Sequence, residues 1–397
     1  MFHILPSYDD AVRLCDENDC FYEVQREVNG TTFSIFNYRF ATSTDFKERG
    51  ALEMRGLTFR HAKDGTKVRF LMLHKFFNVG ENDTTLVEDL NEKKIDKIFD
   101  KLDGSMIRFV VDNDGCIIAK TKLGFDNDQA GVANKILNSN ADLYEFVKDS
   151  FDYGLALIFE YTSPYNRIVI PYKEEKLTLI QIREEATGVY VNDLNFIRDI
   201  EGVDKAKAQT FTVGFGMNNI EQLINIGFRE MRDAEGYVIR FTDGQHVKAK
   251  TPWYVERHRL MTQDFDHENF IIEMILDEKI DDLIVILEKD CLIRKYVEKL
   301  MFIIRDYNFS MESECLKILD KAYIRRDSRK DFAVGMNGHP FFGAMMKAWE
   351  ERDRELLQKG IKDSIKKNTN RLNKAREWLE IVVGFQYKAC KEVLLEE

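Results

Sequence analysis

Short runs of alternating apolar and polar residues fill the chain up to about residue 250. Because the side chains of a β-strand point to its two faces in turn, these runs predict strands of a half-buried sheet. Asp-Gly turns at Asp64-Gly65, Asp114-Gly115 and Asp243-Gly244 lie between runs, as β-hairpins require. The predicted strands are Thr32–Phe36, Val68–Leu73, Met106–Val111, Cys116–Lys120, Leu155–Tyr161, Leu177–Ile182 and Tyr237–Phe241.

Helical spacing of apolar residues occurs near Asp128–Val147 and Asn219–Met231, and it dominates the chain from about Glu268 onward. The later part is rich in Leu, Ile, Glu and Lys and contains very little Pro. The pattern predicts an α+β protein. An antiparallel-rich domain at residues 1–255, with helices outside its sheet, precedes an all-α domain of about five to seven helices at residues 256–397.

Composition agrees with a soluble globular chain of 397 residues, which is long enough for two domains. No apolar run approaches the roughly 20 residues of a membrane span, and the N-terminal residues lack the pattern of a secretory signal. The six cysteines are scattered without a CxxC motif, which favours reduced thiols in a cytoplasm over disulfides or a zinc site.

The net charge of −11 is an average, and local patches decide whether a chain binds phosphates. Between Lys359 and Arg376 there are seven basic residues and one acid, Asp363. This stretch is interpreted either as a solvated helix face or as a contact for a polynucleotide.

The segment Lys101–Ser105, Lys-Leu-Asp-Gly-Ser, places a lysine at a tight turn between two strand-like runs. A free lysine amine, with a pKa of about 10.4, is a poor nucleophile unless it is desolvated or lies near other cations. Lys120 and Lys122, and likewise Lys248 and Lys250, alternate along a strand face. Converging on Lys101, these pairs would favour its neutral form and neutralise a triphosphate. The alternative is that each lysine pair only marks the solvent-exposed face of a half-exposed strand.

Two acids could complete such a site. Glu160 ends an apolar run, where an ionised carboxylate needs a partner unless it lies at a surface strand end. Glu235 precedes Gly236 and a predicted strand, and could hold a ribose hydroxyl or the waters around Mg²⁺. Gly236 could equally be a plain turn residue.

Upstream residues supply cations and aromatic rings. Arg55 and Lys75 could bind phosphate, and Phe77 could stack on a purine. Adjacent strand residues face opposite ways, so one of Phe76 and Phe77 is expected in the core.

The order of these motifs resembles the covalent nucleotidyltransferases, which comprise DNA ligases, RNA ligases and mRNA capping enzymes. More narrowly, the chain is similar to the ATP-dependent RNA ligases of the T4-like bacteriophage type, which repair tRNA anticodon loops. The narrower resemblance rests on segments 53–56, 75–78, 164–169, 182–188, 253–254 and 281–283. It implies an ATP-grasp-like ligase domain followed by a helical domain that serves as a tRNA-specificity module.

The resemblance also implies the chemistry. Lys101 would attack the α-phosphate of ATP, forming lysyl-AMP. The AMP would then pass to an RNA 5′-phosphate, and a 3′-hydroxyl would displace it. We expect ATP and Mg²⁺, with Mn²⁺ as an alternative ion. The expected partner is RNA with 5′-phosphate and 3′-hydroxyl ends, in the form of nicked tRNA. A cytoplasmic monomer without a membrane partner is expected, in the host cytoplasm if the chain is phage-encoded.

Site residues follow from the same resemblance. Lys101 is the expected nucleophile, and Lys248, Lys250 and Glu160 are expected to assist catalysis. The residues expected to bind the nucleotide are Tyr38, Arg55, Lys75, Phe77, Lys122, Glu160, Glu235, Lys248, Lys250 and Tyr254. Asp281 and Asp282 match an acid pair linked to Mg²⁺. The spacing leaves open whether Lys120 or Lys122 faces the nucleotide.

Other functions remain as alternatives. DNA ligases and capping enzymes usually carry an OB-fold after the last lysine motif, and the helical pattern here disfavours both. A noncatalytic RNA-binding protein built on a transferase fold would use the basic stretch that begins at Lys359.

Overall fold

The computed structural model describes residues 4–164, 172–191, 203–205, 219–224, 234–251, 254, 268–286, 292–351 and 353–369. The chain divides into two compact units, residues 1–261 and 262–397. Antiparallel sheets lie in the first unit and helices make up the second, so the predicted fold class is confirmed. Within the described ranges, no helix is both long and apolar enough to cross a membrane. In these ranges, Cys15, Cys20, Cys116 and Cys315 form no disulfide with one another.

The first sheet has four antiparallel strands in the order β1-β2-β3-β4. They are β1 (Phe21–Val28), β2 (Thr31–Tyr38), β3 (Leu57–His61) and β4 (Lys67–Phe70). Helix α1 (Tyr8–Glu17) packs its buried Ala11 and Leu14 against this sheet. Ser7 caps the helix, because its hydroxyl accepts from the Asp10 amide at 3.1 Å while the Asp10 carboxylate accepts from the Ser7 amide at 3.0 Å.

The second sheet has five strands in the order β11-β10-β9-β7-β8. They are β7 (Ser105–Val111), β8 (Ile117–Thr121), β9 (Leu155–Thr162), β10 (Lys176–Glu184) and β11 (Val203–Lys205). Two helices, α3 (Asp128–Ser139) and α4 (Ala141–Asp152), pack on it and form a continuous apolar core. The helical spacing predicted near Asp128–Val147 is confirmed, and it corresponds to two helices. Asn140 ends α3 and caps α4, its side chain accepting from the Leu143 amide at 3.0 Å.

The third sheet has the order β5-β13-β12-β6, and it brings distant parts of the chain together. Its strands are β5 (Phe77–Asn78), β6 (Ile95–Lys101), β12 (Gly236–Phe241) and β13 (His246–Lys250). Two short helices, α2 (Val87–Asn91) and α5 (Ile220–Gln222), contribute to the core beneath it. Each of the seven predicted strands overlaps an observed one, and β6 is the strand-like run that precedes the Lys101 turn, whereas α1, β1 and β3 were not predicted.

The described part of the second unit contains six helices, within the predicted range. They are α6 (Glu268–Leu276), α7 (Asp281–Ile286), α8 (Leu292–Arg325), α9 (Arg329–Gly335), α10 (Phe342–Glu351) and α11 (Arg354–Thr369). The close approach of α10 and α11 depends on Gly360, because a Cβ there would lie 2.5 Å from the Cβ of Ala344.

A buried ion pair holds three segments of the first unit together. The Arg183 guanidinium donates to both carboxylate oxygens of Glu53, at 2.9 and 2.7 Å, and neither side chain is exposed to solvent by more than 2%. Arg183 also donates to the carbonyls of Met72 and Gly188. The pair thus fixes residue 53, residue 72 and the end of β10 relative to one another.

We predict that Glu53→Ala lowers the free energy of unfolding by about 3–5 kcal/mol, because it leaves the Arg183 charge buried without its carboxylate. Urea unfolding measures the loss. Arg13→Ala is the matched control, since it breaks an exposed 2.6 Å pair with Glu17 on α1. Arg13→Ala should lower the free energy of unfolding by less than about 1 kcal/mol. Equal losses in the two variants would contradict the structural role given to the buried pair.

Candidate functional site

Three neighbouring strands of the third sheet bring Lys101, Glu235 and Lys250 together. Gly236 on β12 pairs with Lys101 on β6 and with Lys250 on β13, so both lysines flank the residue that follows Glu235. The Lys101 Nζ donates to the Glu235 Oε1 at 2.5 Å, and the Lys250 Nζ lies 3.5 Å from the same oxygen. Glu235 is 3% exposed. One buried carboxylate is therefore shared by two ammonium groups.

Gly236 is required by the approach of the adjacent strand. A Cβ at this position would lie 2.2 Å from the Ala249 carbonyl oxygen and 2.7 Å from the Lys250 Cα. The sequence suggested that Gly236 is a turn residue or leaves space for a ligand. In the structure, the close packing of β13 against β12 requires a glycine at this position. Any larger residue would push β13 away and separate Lys250 from Glu235.

Glu160 on β9 belongs to the same electrostatic neighbourhood. Burial raises the pKa of Glu160 to about 8, with Lys101 and Arg55 opposing the rise and Glu235 and Asp103 adding to it. At neutral pH this carboxyl is therefore mostly protonated, and it can donate a hydrogen bond. A cation bound beside it would favour the ionised form.

A second group of cations surrounds Tyr38, at the end of β2. The Lys122 Nζ lies 4.2 Å from the centre of the Tyr38 ring, and the Lys75 Nζ lies 5.8 Å from it. Burial alone would raise the pKa of Tyr38, but the charges of Lys122, Lys75, Arg55 and Lys248 lower it to about 8. These four cations, all predicted site residues, therefore act on Tyr38, which was also predicted for the site.

Phe77 carries the aromatic ring of this region. The Lys75 Nζ lies 4.9 Å from the centre of the Phe77 ring, and 4.0 Å from the Glu81 carboxylate. Phe77 is half-buried, whereas Phe76 is 7% exposed and packs in an apolar cluster. The prediction that one of the two phenylalanines belongs to the core is confirmed.

Lys120 and Lys122 have different surroundings. The buried Lys120 Nζ donates to the carbonyls of Thr121 at 2.8 Å and Gly56 at 3.1 Å, and burial lowers the pKa of Lys120 to about 7. Strand β8 ends at Thr121, so the prediction that both lysines line one strand face is wrong. Lys122 lies beyond the strand, where its carbonyl accepts from the Asn37 side chain at 2.9 Å. Lys122 is thus the lysine beside Tyr38.

Asp103 and Tyr172 also join the site, and the sequence analysis gave neither of them a role. Asp103 is 2% exposed; its carboxylate accepts from the Tyr254 hydroxyl at 3.4 Å, and its amide donates to the Tyr172 hydroxyl at 2.9 Å. The Lys250 Nζ lies 5.0 Å from the centre of the Tyr254 ring. Asp103 was treated as a turn residue of the Lys101–Ser105 motif, and its position two residues after Lys101 was the available signal.

The predicted metal residues lie in the second unit, where Asp281 and Asp282 begin α7. In the part of the chain that the structure describes, no group of three or more His, Cys, Asp and Glu side chains could hold a metal ion. The metal assignment stays a prediction. Residues 165–171, 253 and 370–376 of the quoted motifs lie outside the described residues.

We predict that one tyrosine of the unliganded protein ionises near pH 8, because cations stabilise the Tyr38 phenolate. Ultraviolet titration of tyrosinate absorbance measures it. Tyr38→Phe should remove this component, and Lys122→Ala should move it to higher pH by removing the strongest of the stabilising charges. Tyr153→Phe, at a 78% exposed position, is the control and should leave the component in place. A component that persists in Tyr38→Phe would contradict the assignment.

Comparisons with known proteins identify the family. A family model described as RNA ligase matches residues 53–254. A putative RNA ligase of Thermovibrio ammonificans is 30% identical over 280 residues, covering 67% of this chain and 68% of that protein. An RNA ligase of Rhodothermus phage RM378 is 24% identical over 337 residues, covering 70% of this chain and 75% of that protein.

Solved structures with detectable similarity include an archaeal ATP-dependent RNA ligase, with a TM-score of 0.43, 11% identity, and coverage of 99% of this chain and 95% of that one. The Naegleria gruberi RNA ligase with pyrophosphate gives a TM-score of 0.35 and 18% identity, covering 47% of this chain and 57% of that one. The chain thus spans a little over half of the Naegleria structure. The family model, which matches half of the chain, and the 30% identical bacterial relative show that the chain belongs to the RNA ligase family of enzymes.

Proposed function

We propose that the protein is an ATP-dependent RNA ligase that works through a covalent adenylate on Lys101. The observation that carries the proposal is the group formed by Lys101, Glu235 and Lys250, in which the predicted nucleophile and a second lysine share one buried carboxylate. Membership of the RNA ligase family supports the same conclusion. A merely solvated strand face would not hold two lysines against a 3% exposed acid.

In the first step the Lys101 nitrogen attacks the α-phosphorus of ATP. A phosphorus–nitrogen bond forms, the bond to the bridging oxygen breaks, and pyrophosphate leaves. The amine must first lose a proton, which can pass to water because the Lys101 side chain is 22% exposed, and its hydrogen bond to Glu235 must be released. Engagement of Glu235 by a ribose hydroxyl would weaken that hold, and the neighbouring Lys250 charge would then favour the neutral amine. The nucleotide would thereby prepare its own nucleophile.

The cations around Tyr38 fit the phosphates of the nucleotide. Arg55, Lys75, Lys122 and Lys248 all lower the pKa of Tyr38, which indicates a strongly positive local potential. Such a potential would neutralise charge that develops as pyrophosphate leaves. Phe77 is half-buried beside this group and offers a ring against which a purine could stack.

A divalent cation, Mg²⁺ or Mn²⁺, is proposed as part of the reaction. Mg²⁺ is usually held by one or two carboxylates together with substrate phosphates, so a cluster of protein ligands is not needed. Glu160 and Glu235 fit this role, because Glu235 is buried and the half-buried Glu160 lies in the same electrostatic neighbourhood. The ion would withdraw charge from the phosphates, while Asp281 and Asp282 remain further proposed contacts.

In the later steps AMP passes from Lys101 to an RNA 5′-phosphate, and a 3′-hydroxyl displaces it to form the phosphodiester. We propose nicked tRNA as the natural substrate, a monomeric enzyme, and the division of the chain at residues 1–255 and 256–397. The helical unit would then supply contacts to the RNA outside the adenylation site.

Labelled ATP tests the first step. With the label on the α-phosphate, the wild-type protein should become covalently labelled, and with the label on the γ-phosphate it should not. Lys101→Ala should lose the label entirely. Lys97→Ala, at a lysine on the same strand, is the matched control and should keep it. Label that persists in Lys101→Ala would rule out the proposed nucleophile.

Substrate choice gives a separate prediction. The adenylylated protein should join nicked tRNA, and single-stranded RNA with 5′-phosphate and 3′-hydroxyl ends, at least about tenfold faster than nicked duplex DNA. That ratio corresponds to 1.4 kcal/mol between the transition states. Gel analysis of end-labelled substrates measures it. Faster joining of the DNA nick would show a DNA ligase, and RNA binding without lysyl-AMP would show a noncatalytic protein.

A further inference from the structure

An exposed basic stretch lies where α8 ends and α9 begins. Residues 321–330, Lys-Ala-Tyr-Ile-Arg-Arg-Asp-Ser-Arg-Lys, carry five basic side chains and one acid, in a chain whose net charge is −11. All five basic side chains are exposed. This local excess of positive charge is typical of a surface that binds a polyanion.

A pocket of about 500 Å³ opens within this stretch, between the end of α8, the start of α9 and the end of α10. Its volume is in the range of sites for small ligands and accommodates one nucleotide. The residues that line it are Tyr323, Arg326, Asp327, Arg329, Trp349 and Glu350.

The two acids of the pocket are already neutralised. Arg325 donates to Asp327 at 2.6 Å, and Arg329 donates to Glu350 at 2.6 Å. Within the described part of the chain, the Arg326 side chain makes no ion pair or hydrogen bond. The positive charge of Arg326 is therefore available to a bound anion.

The backbone at Arg326 gives independent support. Its φ is 58°, the left-handed conformation in which helices commonly end. The Arg326 amide donates to the Tyr323 carbonyl, and the Asp327 amide to the Ala322 carbonyl, both at 3.0 Å. Glycine adopts this conformation without the steric cost that a side chain carries. An exposed arginine without a protein partner, at a position that suits glycine, indicates a role outside folding.

The wall of the pocket is a rigid aromatic stack. Trp349 lies between Tyr323, with ring centres 4.5 Å apart, and Phe332, with ring centres 4.4 Å apart, and both pairs are nearly parallel. The Tyr323 hydroxyl donates to the carbonyls of Ala348 and Trp349, both at 3.3 Å. Tyr323 and Trp349 of this stack both line the pocket.

We propose that this pocket binds a phosphate, and the nucleotide attached to it, of the RNA substrate. The inference rests on the proposed function, and it adds an RNA-binding subsite within the second unit. Arg326 would hold the phosphate, and the ring of Tyr323 would contact the sugar or base. The neighbouring Lys321 and Lys330, both exposed, would attract the adjacent phosphates, which favours a polynucleotide over a single nucleotide.

The test uses the full chain, and fluorescence anisotropy with a labelled single-stranded RNA that carries a 5′-phosphate. Arg326→Gly should weaken binding about five- to tenfold, and should lower the slope of log affinity against log salt by about 0.7, as one lost phosphate contact does. The melting temperature should stay the same or rise, because glycine fits the left-handed backbone. Arg326→Lys should recover part of the affinity.

Lys317→Ala is the matched control, since it removes one exposed charge from α8 outside the pocket. It should change RNA affinity less than twofold. Formation of lysyl-AMP is measured in every variant and should not change. Wild-type affinity in Arg326→Gly, or an equal loss in Lys317→Ala, would overturn the subsite and leave the proposed function intact. A wild-type protein that forms no lysyl-AMP would instead overturn the proposed function.

Discussion

The site depends on one buried carboxylate that keeps two lysines close together. Like charges repel, and the two ammonium groups, on the strands that flank β12, would move apart unless a negative charge lay between them. Glu235 provides that charge, and it is in turn buried at low cost only because Lys101 and Lys250 contact it. The arrangement also requires the register at Gly236, which pairs with both lysines. The proposed nucleophile Lys101, the cation Lys250 and their shared acid are therefore fixed by sheet pairing rather than by a loop.

Around Tyr38, burial and the neighbouring cations shift the pKa of the phenol in opposite directions. Although burial favours the neutral phenol, the surrounding charges lower the pKa of Tyr38 to about 8, so the net potential there is positive. Such a cluster raises the energy of the empty site and lowers it when an anion binds. The chain carries an overall charge of −11, yet it concentrates positive charge where a polyphosphate would lie. Local arrangement, rather than net charge, matches this protein to an anionic substrate.

The sequence predicted strands well where apolar residues alternate between Asp-Gly turns, and it failed where other constraints decide. In β1, Phe21–Val28, the buried residues Phe21 and Val24 are three positions apart, so alternation is lost. The helical spacing near Asp128–Val147 did not show where one helix ends and the next begins, a point set by the capping side chain of Asn140. For Lys120 and Lys122, alternation assigns both to one face, but the strand ends between them. Residue types thus indicated the chemistry, while strand ends and cross-strand register, which determine the contacts, were not accessible.

Holding several cations within a few ångströms requires a scaffold that resists their repulsion. At an effective dielectric constant of about 20, two unit charges some 6 Å apart repel by roughly 3 kcal/mol. The buried Arg183–Glu53 pair opposes this, because Glu53 lies two residues before Arg55, and Arg183 also binds the carbonyl of Met72, three residues before Lys75. Lys120 acts similarly by joining the Gly56 carbonyl to the end of β8, next to Lys122. Buried ionic contacts that do no chemistry themselves therefore allow the half-buried cations around Tyr38 to stay close enough to act on one ligand.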